Sequence, residues 1–380
     1  MNRYSRVLSL IRSTLSRRSV ATVAGGLGIG SFLYVSSITH KKQYFNLPLA
    51  NLPSGCAMSV QCASKKTEPQ ELVIAEDKVH GLFVILHLDR RANRLQCVRA
   101  LENLKAHIDR ISPADIRDDD NEIIMAIGFG PALLKEVYPD ASKRGVESFD
   151  YKARNFRGGS MPATGGDILI HATCAEYGKL FELSQAIQAE IPEKAIEKTE
   201  EVYGFRYRNG RDLSGFIDGT ENPADPDERR EVAVSKATGG SYVVTQRWLH
   251  DFNTIKKQLD TTMEDWIGRT KEDSIEIKPV AVHSHVGRMT AGLSDAEANE
   301  KRMVRHSMPY GSVTGEAGLF FIGYSSTPRT LDWMLDRMTG STPDKTHDSL
   351  FNFTKPLTGT FFYVPSQAEL RAIFSKCSKY

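Results

Sequence analysis

The chain has 380 residues, with 49 Lys or Arg against 47 Asp or Glu and a formal net charge of +2. That length exceeds one ordinary domain and allows a large core, while the balanced charge argues against the clustered basic face that nucleic-acid binding needs. The five cysteines (Cys56, Cys62, Cys97, Cys174 and Cys377) show no CxxC spacing, so a zinc site is unsupported.

Residues 1–67 form a segment of their own. They hold nine basic residues and no acid; the first acid is Glu68. Tyr4, Val7, Leu8, Ile11 and Leu15 fall on one helical face, with Arg3, Arg6, Arg12, Arg17 and Arg18 nearby. Basic, amphipathic and acid-free describes a mitochondrial presequence. The uncharged run from Ser19 to Thr39 follows, stopped by His40-Lys41-Lys42, and its four glycines make it a marginal membrane span. Together they predict sorting to the intermembrane space, with a retained inner-membrane anchor as the rival and the matrix or a secretory route less favoured. From residue 68 onward 40 basic residues face 47 acidic ones, so the slightly basic balance of the whole belongs to this leader.

From about residue 78 the pattern reads strand, helix, strand, and then repeats. HGLFVILHL and GSYVVTQRW are β-rich runs of strand length, each followed by a helical stretch. GDILIHATC precedes a helix with Tyr177, Leu180, Phe181 and Ile187 on one predicted core face. GLFFIGYSS precedes another with Leu331, Met334, Leu335 and Met338. Two similar α+β halves are therefore expected on either side of residue 218.

Between them lies RDLSGFIDGTENP, Arg211 to Pro223. Gly215 and Gly219 let the backbone bend and approach a bulky partner closely. Asp218 sits between Phe216-Ile217 and Gly219-Thr220, a carboxylate at the edge of an apolar turn, a setting that tends to raise a pKa and suits proton transfer. The plainer reading is that Asp218 caps a turn. Among the ten histidines, His283 and His285 in HSHVGR would share a face if that segment were extended, so alternation cannot separate them.

GxxDG running into TENP resembles the signature of the dye-decolorising peroxidases, a haem peroxidase family, and the similarity covers roughly residues 75 to 375. HSHVGR is similar to the family's SHVxR stretch, which implies His285 as the axial haem ligand and His283 as a nearby decoy. MVRHSMPYGS resembles the segment with a distal arginine followed by an MPxG turn. That implies Arg305, with Arg302 the competitor under a different alignment and a surface arginine the plain alternative. Ser307 stands where many relatives have Asn; it can still donate to bound peroxide or water. In THDSLFNFTKPLTGTFFYVPS, Asp348 takes the place of the axial histidine's acidic partner, or else simply starts a helix. Arg269, in IGRTK, would pair with a haem propionate or lie at the surface.

The resemblance implies an α+β fold of two ferredoxin-like domains with antiparallel sheets, akin to the dimeric α+β barrel. The first would span 75–210, a motif-bearing connector 211–235, and the second, haem-binding domain 236–376. It further implies one haem b per subunit, non-covalently held since no CxxCH is present, and a homo-oligomer. Hydrogen peroxide would be reduced to water at the expense of an unidentified one-electron donor. Asp218 would move a proton between the peroxide oxygens and Arg305 would stabilise the developing charge. Trp248, Trp266, Trp333, Tyr203 and Tyr207 are either electron relays or core. The alternatives are a haem-handling protein with incidental peroxidase activity, or the same fold without haem.

Overall fold

The computed structural model describes residues 67–378. The expected leader, through residue 66 and including the apolar run, lies outside the described residues. No helix among those described is long and apolar enough to cross a membrane.

The first half opens with β1 (His80–Leu88), helices α1 (Arg94–Ala100) and α2 (Leu104–Ile111), and β2 (Ile124–Phe129). Helix α3 (Pro131–Val137) and a small hairpin, β3 (Arg154–Phe156) with β4 (Gly159–Met161), come next. Then follow β5 (Ile168–Cys174), α4 (Tyr177–Glu190) and β6 (Ile196–Phe205). After the glycine-rich motif comes α5 (Pro226–Ala233). The second half runs β7 (Ser241–His250), α6 (Phe252–Lys257), α7 (Asp260–Ile267), α8 (His285–Thr290) and α9 (Asp295–Glu300). It continues with β8 (Val304–Arg305), β9 (Met308–Gly311), β10 (Ala317–Ser325) and α10 (Pro328–Thr339). It closes with β11 (Thr354–Pro356), β12 (Thr360–Val364) and α11 (Gln367–Cys377).

Each half makes a four-stranded antiparallel sheet in the same order, β2-β5-β1-β6 and β12-β7-β10-β9. The two sheets join at both margins, through Gly204 opposite Tyr310 and through Tyr363 opposite Phe129. The eight strands thus close into a ring, which removes the unpaired edges that either sheet alone would expose. Because side chains alternate along a strand, the ring has two cores. Phe83, Ile85, Leu169, Val243, Phe320 and Phe362 cluster on one side of the strands. Leu82, Val84, Ile170 and Val244 point the other way and pack with Leu180 of α4 and Leu331 of α10.

The helix faces needed one correction. Leu331, Leu335 and Met338 of α10 are buried as expected, with Met334 partly so. In α4, however, Tyr177 and Phe181 are half exposed, at 47% and 50%. The buried stripe is Leu180, Leu183, Ser184 and Ile187. Tyr177 and Phe181 lie on the flank of that stripe, where their rings rest against Tyr203 of β6.

Candidate active site

The connector motif is held by its own partly buried polar groups. Arg211 donates to three carbonyls, those of Gly215, Lys271 and Glu272, at 2.7, 2.6 and 2.8 Å. Asp212 accepts from the backbone and hydroxyl of Ser214, at 2.8 and 2.5 Å, and meets His250 Nε2 of β7 at 2.9 Å. Burial alone would raise the Asp212 pKa, but His250 and the Ser214 donors outweigh it and hold it below the ordinary carboxylate value. Gly215 and Gly219 sit at φ 97° and 78°, in the left-handed region that favours glycine. Phe216 turns away into a cluster with Met263 and Phe353.

Asp218 is left at the wall of a cavity of about 440 Å³. Its Oδ1 accepts from the Gly219 N–H at 2.7 Å and lies 3.4 Å from Arg305 Nη1. The apolar setting expected from Phe216 and Ile217 is not what this carboxylate meets. Phe216 packs elsewhere, and the cavity lining includes Lys78, Arg206, Arg208 and Arg305. Arg305 itself belongs to the two-residue β8, paired with Gly323 of β10. Asn222 of the motif holds its backbone: Nδ2 donates to the Arg305 carbonyl at 2.7 Å and Oδ1 accepts from its N–H at 2.9 Å. Arg302, the competitor, points away to Glu228 at 2.8 Å. Ser307 lines the same cavity, although its hydroxyl is turned toward the Ile322 backbone, accepting from that N–H at 3.2 Å.

His285 and Asp348 form the second part. HSHVGR is not extended: Ser284 caps α8 by accepting from the Gly287 N–H at 3.1 Å, and His285 is the first helical residue. Gly287 is required there, because a Cβ would come within 2.0 Å of the Ala281 carbonyl oxygen. His285 Nδ1 lies 2.7 Å from Asp348 Oδ2. Asp348 has no exposure, and its other oxygen accepts from the Leu350 N–H at 2.9 Å. Asp348 thus starts a short 3₁₀ turn and also bonds the His285 ring. His283 Nδ1 instead meets the Ser349 hydroxyl at 3.0 Å, and its side chain is 44% exposed.

Two arginines that the sequence reading did not single out fix the helix bearing His285. Arg288 is 1% exposed and pairs with Asp344 at 2.6 Å, and its guanidinium holds the Asp344 pKa well below the usual carboxylate range. Arg337 of α10 donates to the carbonyls of Arg288 and Ala291, the latter at 2.8 Å, which satisfies orphan groups at the end of α8, and at 3.2 Å to that of Gly287, which already accepts from the Ala291 N–H. Arg288 lies within HSHVGR, and that was the only signal available. Arg269 is committed to the Ser274 carbonyl at 2.7 Å and to Glu221, and it does not line the cavity with Asp218.

Residues 209–369 match the family model described as Dyp-type peroxidase, C-terminal. A dye-decolorizing peroxidase of Brevibacterium linens is 31% identical over 260 residues, 66% of this chain and 69% of the relative. The chain belongs to the dye-decolorising peroxidase family. The Mycobacterium tuberculosis dye-decolorizing peroxidase is 38% identical over 219 residues, 54% of this chain but only 63% of the relative's length. Among solved structures, a dye-decolorizing protein from V. cholerae superposes with a TM-score of 0.69 and 34% identity, covering 79% of this chain and 98% of that one. DyPB from Rhodococcus jostii RHA1 gives a TM-score of 0.72 at 30% identity, covering 80% and 97%. A variant of that protein is described in complex with heme. The α+β fold of paired ferredoxin-like halves is that of these dye-decolorising peroxidases. The residues here also fit a haem. An imidazole whose Nδ1 faces a buried carboxylate presents Nε2 as a donor atom, the arrangement that suits an axial iron ligand.

Proposed function

We propose that the protein is a haem b peroxidase that reduces hydrogen peroxide to water while oxidising a one-electron donor. The observation that carries this reading is the pairing of Asp218 with Arg305 at one cavity wall, in a chain that also ties His285 to Asp348. His285 would hold the iron, and Asp348 would keep its ring in one tautomer and make it a stronger electron donor. Bound haem supplies the metal at which the O–O bond is broken and the oxidising equivalents are held. Asp218 takes the proton of the incoming peroxide and returns it to the departing oxygen. The permanently charged Arg305 stabilises the negative charge that develops on that oxygen. Asn222 holds Arg305 in place from behind.

Haem-handling with incidental peroxidase activity is the lesser reading, because storage or transfer has no use for an Asp–Arg pair of this kind. Purified protein should show a Soret band and turn over peroxide with a dye donor. A Soret band with no turnover would favour haem-handling, and absence of both would end the haem reading.

We further propose import into mitochondria, ending in the intermembrane space or on the inner membrane. This rests on the acid-free arginine-rich segment through Arg18 and the apolar run after it. Deleting residues 1–18 should abolish import, whereas deleting 19–39 should send the protein to the matrix; fractionation with protease protection reads both. A homo-oligomer is proposed from the family resemblance alone, and sedimentation of the purified protein tests it.

A further inference from the structure

His306 and Ser307 link β8 to β9, and the His306 N–H donates to the Ile322 carbonyl of β10 at 3.1 Å. Arg305 and Ser307 line the cavity, whereas His306, 2% exposed, does not and is buried among aromatic rings. There its ring centre lies 5.7 Å from that of His171 of β5 and 5.4 Å from that of Tyr324 of β10. His171 and Tyr324 are both completely or almost completely buried, with Phe83 stacked on His171 at 4.8 Å.

The polar atoms of this group are joined at both ends. The Tyr324 hydroxyl is 2.8 Å from His171 Nδ1. His306 Nδ1 is 2.5 Å from Asp77 Oδ1, and Asp77 lines the cavity. Between these ends, His171 Nε2 and His306 Nε2 are buried with no hydrogen-bond partner among the described residues. Two neighbouring imidazole nitrogens are costly to leave unbonded in an apolar interior. With the ring centres 5.7 Å apart, one buried water between them would satisfy both.

The hydrogen-bond partners favour tautomers that such a water would bridge. Burial keeps His171 neutral, so if Nδ1 accepts from Tyr324 then Nε2 carries the hydrogen. The Asp77 carboxylate favours the hydrogen on His306 Nδ1, which leaves Nε2 as an acceptor. A water between the rings then accepts from His171 and donates to His306.

Building on the peroxidase reading above, we propose that Tyr324, His171, a bridging water, His306 and Asp77 form a proton path from the barrel interior to the cavity, and that Tyr324 is thereby an oxidisable tyrosine. Hydrogen peroxide takes up two electrons and two protons in becoming two waters; Tyr324 supplies one of those electrons and becomes a neutral phenoxyl radical. Its O–H proton passes to His171 Nδ1, and the Nε2 proton of His171 passes to the water. A water proton moves to His306 Nε2, and the Nδ1 proton of His306 ends on the Asp77 carboxylate. When a donor returns the electron, the protons retrace the path. A buried phenol gives up an electron readily only if its proton has somewhere to go. Tyr363 also has an acceptor in Glu369 at 3.0 Å, but Glu369 does not line the cavity. Tyr324 lies opposite Val304 in the β8–β10 ladder, next to the Arg305 position.

Freeze-quenched holoenzyme mixed with hydrogen peroxide should show a tyrosyl radical by electron paramagnetic resonance, with a spectrum that narrows on ring deuteration of tyrosine. Tyr324→Phe should lose that signal, while Tyr363→Phe keeps it. An unchanged tyrosyl signal in a Tyr324→Phe protein with normal Soret band and melting temperature overturns the proposal. So does a wild-type enzyme that reacts with peroxide and forms no tyrosyl radical. A second measurement needs no haem: nitrogen-15 spectra of histidine-labelled full chain, prepared without haem, report the tautomers. Nε2–H on His171 with Nδ1–H on His306 supports the path. Nδ1–H on His171 rules it out, because that nitrogen could not take the tyrosine proton. A protein with the supporting tautomers that never binds haem would remove the peroxidase reading and leave the proton path supported.

Discussion

Asn222 holds the backbone of Arg305 through two hydrogen bonds, one to its carbonyl at 2.7 Å and one from its N–H at 2.9 Å. The motif that supplies Asp218 therefore also positions the arginine, eighty-three residues later in the chain. Replacing Asn222 by Ala leaves both backbone groups unpaired, a cost of about 1–3 kcal/mol when such groups are buried. We expect Asn222→Ala to bind haem normally, to lose thermal stability and to react more slowly with peroxide. Asn222→Asp should recover only the bond to the N–H. Stopped-flow mixing of both variants with peroxide checks this, and a wild-type rate in Asn222→Ala would show that the clamp is not needed.

His285→Ala should lose the axial ligand and most of the haem. His283→Ala, two residues away but half exposed and bonded to Ser349, should keep both, with stability changed by no more than about 0.5 kcal/mol, as is usual for surface positions. Absorbance spectra of the purified variants decide between the two histidines.

Asp218 and Arg305 should fail differently. Loss of a proton shuttle costs roughly 10²–10⁴-fold in general acid–base catalysis, and loss of one preorganised charge-stabilising donor about 10²–10³-fold. Asp218→Asn and Arg305→Leu should retain the Soret band and slow its first change after mixing with peroxide. The slower variant names the dominant group. Two variants with wild-type kinetics would place the chemistry elsewhere.

His171 gives a pH dependence of stability. Burial lowers its folded pKa well below 6.5, the value taken for the unfolded chain. Below pH 6.5 the unfolded chain therefore takes up a proton that the folded one refuses, so stability is full above that pH and falls as the pH drops. The slope from one such proton is at most about 1.4 kcal/mol per pH unit. Urea unfolding from pH 7 down to pH 5 should show the decline, and His171→Gln should flatten it. An equal slope in that variant would assign the effect to other groups.

Much of the architecture was legible in the sequence. HGLFVILHL, GDILIHATC, GSYVVTQRW and GLFFIGYSS all became sheet strands, because short runs of β-branched and aromatic residues bounded by turn formers have few other solutions. Helix α10 kept its predicted buried face, whereas α4 did not, since Tyr177 and Phe181 lie on its flank against Tyr203, a contact that no local period encodes.

By itself the sequence determined which residues are available for chemistry: the glycine-hinged Asp218, the HSHVGR pair, Arg305 before MPYG, and Asp348. Tertiary structure alone decided what each of them touches. The resemblance to SHVxR already favoured His285 over His283, but only the folded chain shows what each ring meets, because that depends on Ser284 starting a helix and on Asp348, sixty-three residues from His285, bonding that ring while Ser349 bonds the other. Only the folded chain gives Asp218 a charged cavity wall in place of an apolar one, turns the Ser307 hydroxyl to the Ile322 backbone, and commits Arg269 to Glu221. The physical reason is common to all of these. Side-chain direction along a strand or helix is local and periodic, but hydrogen bonds and ion pairs are satisfied by whatever the closure of the barrel brings within about 3 Å.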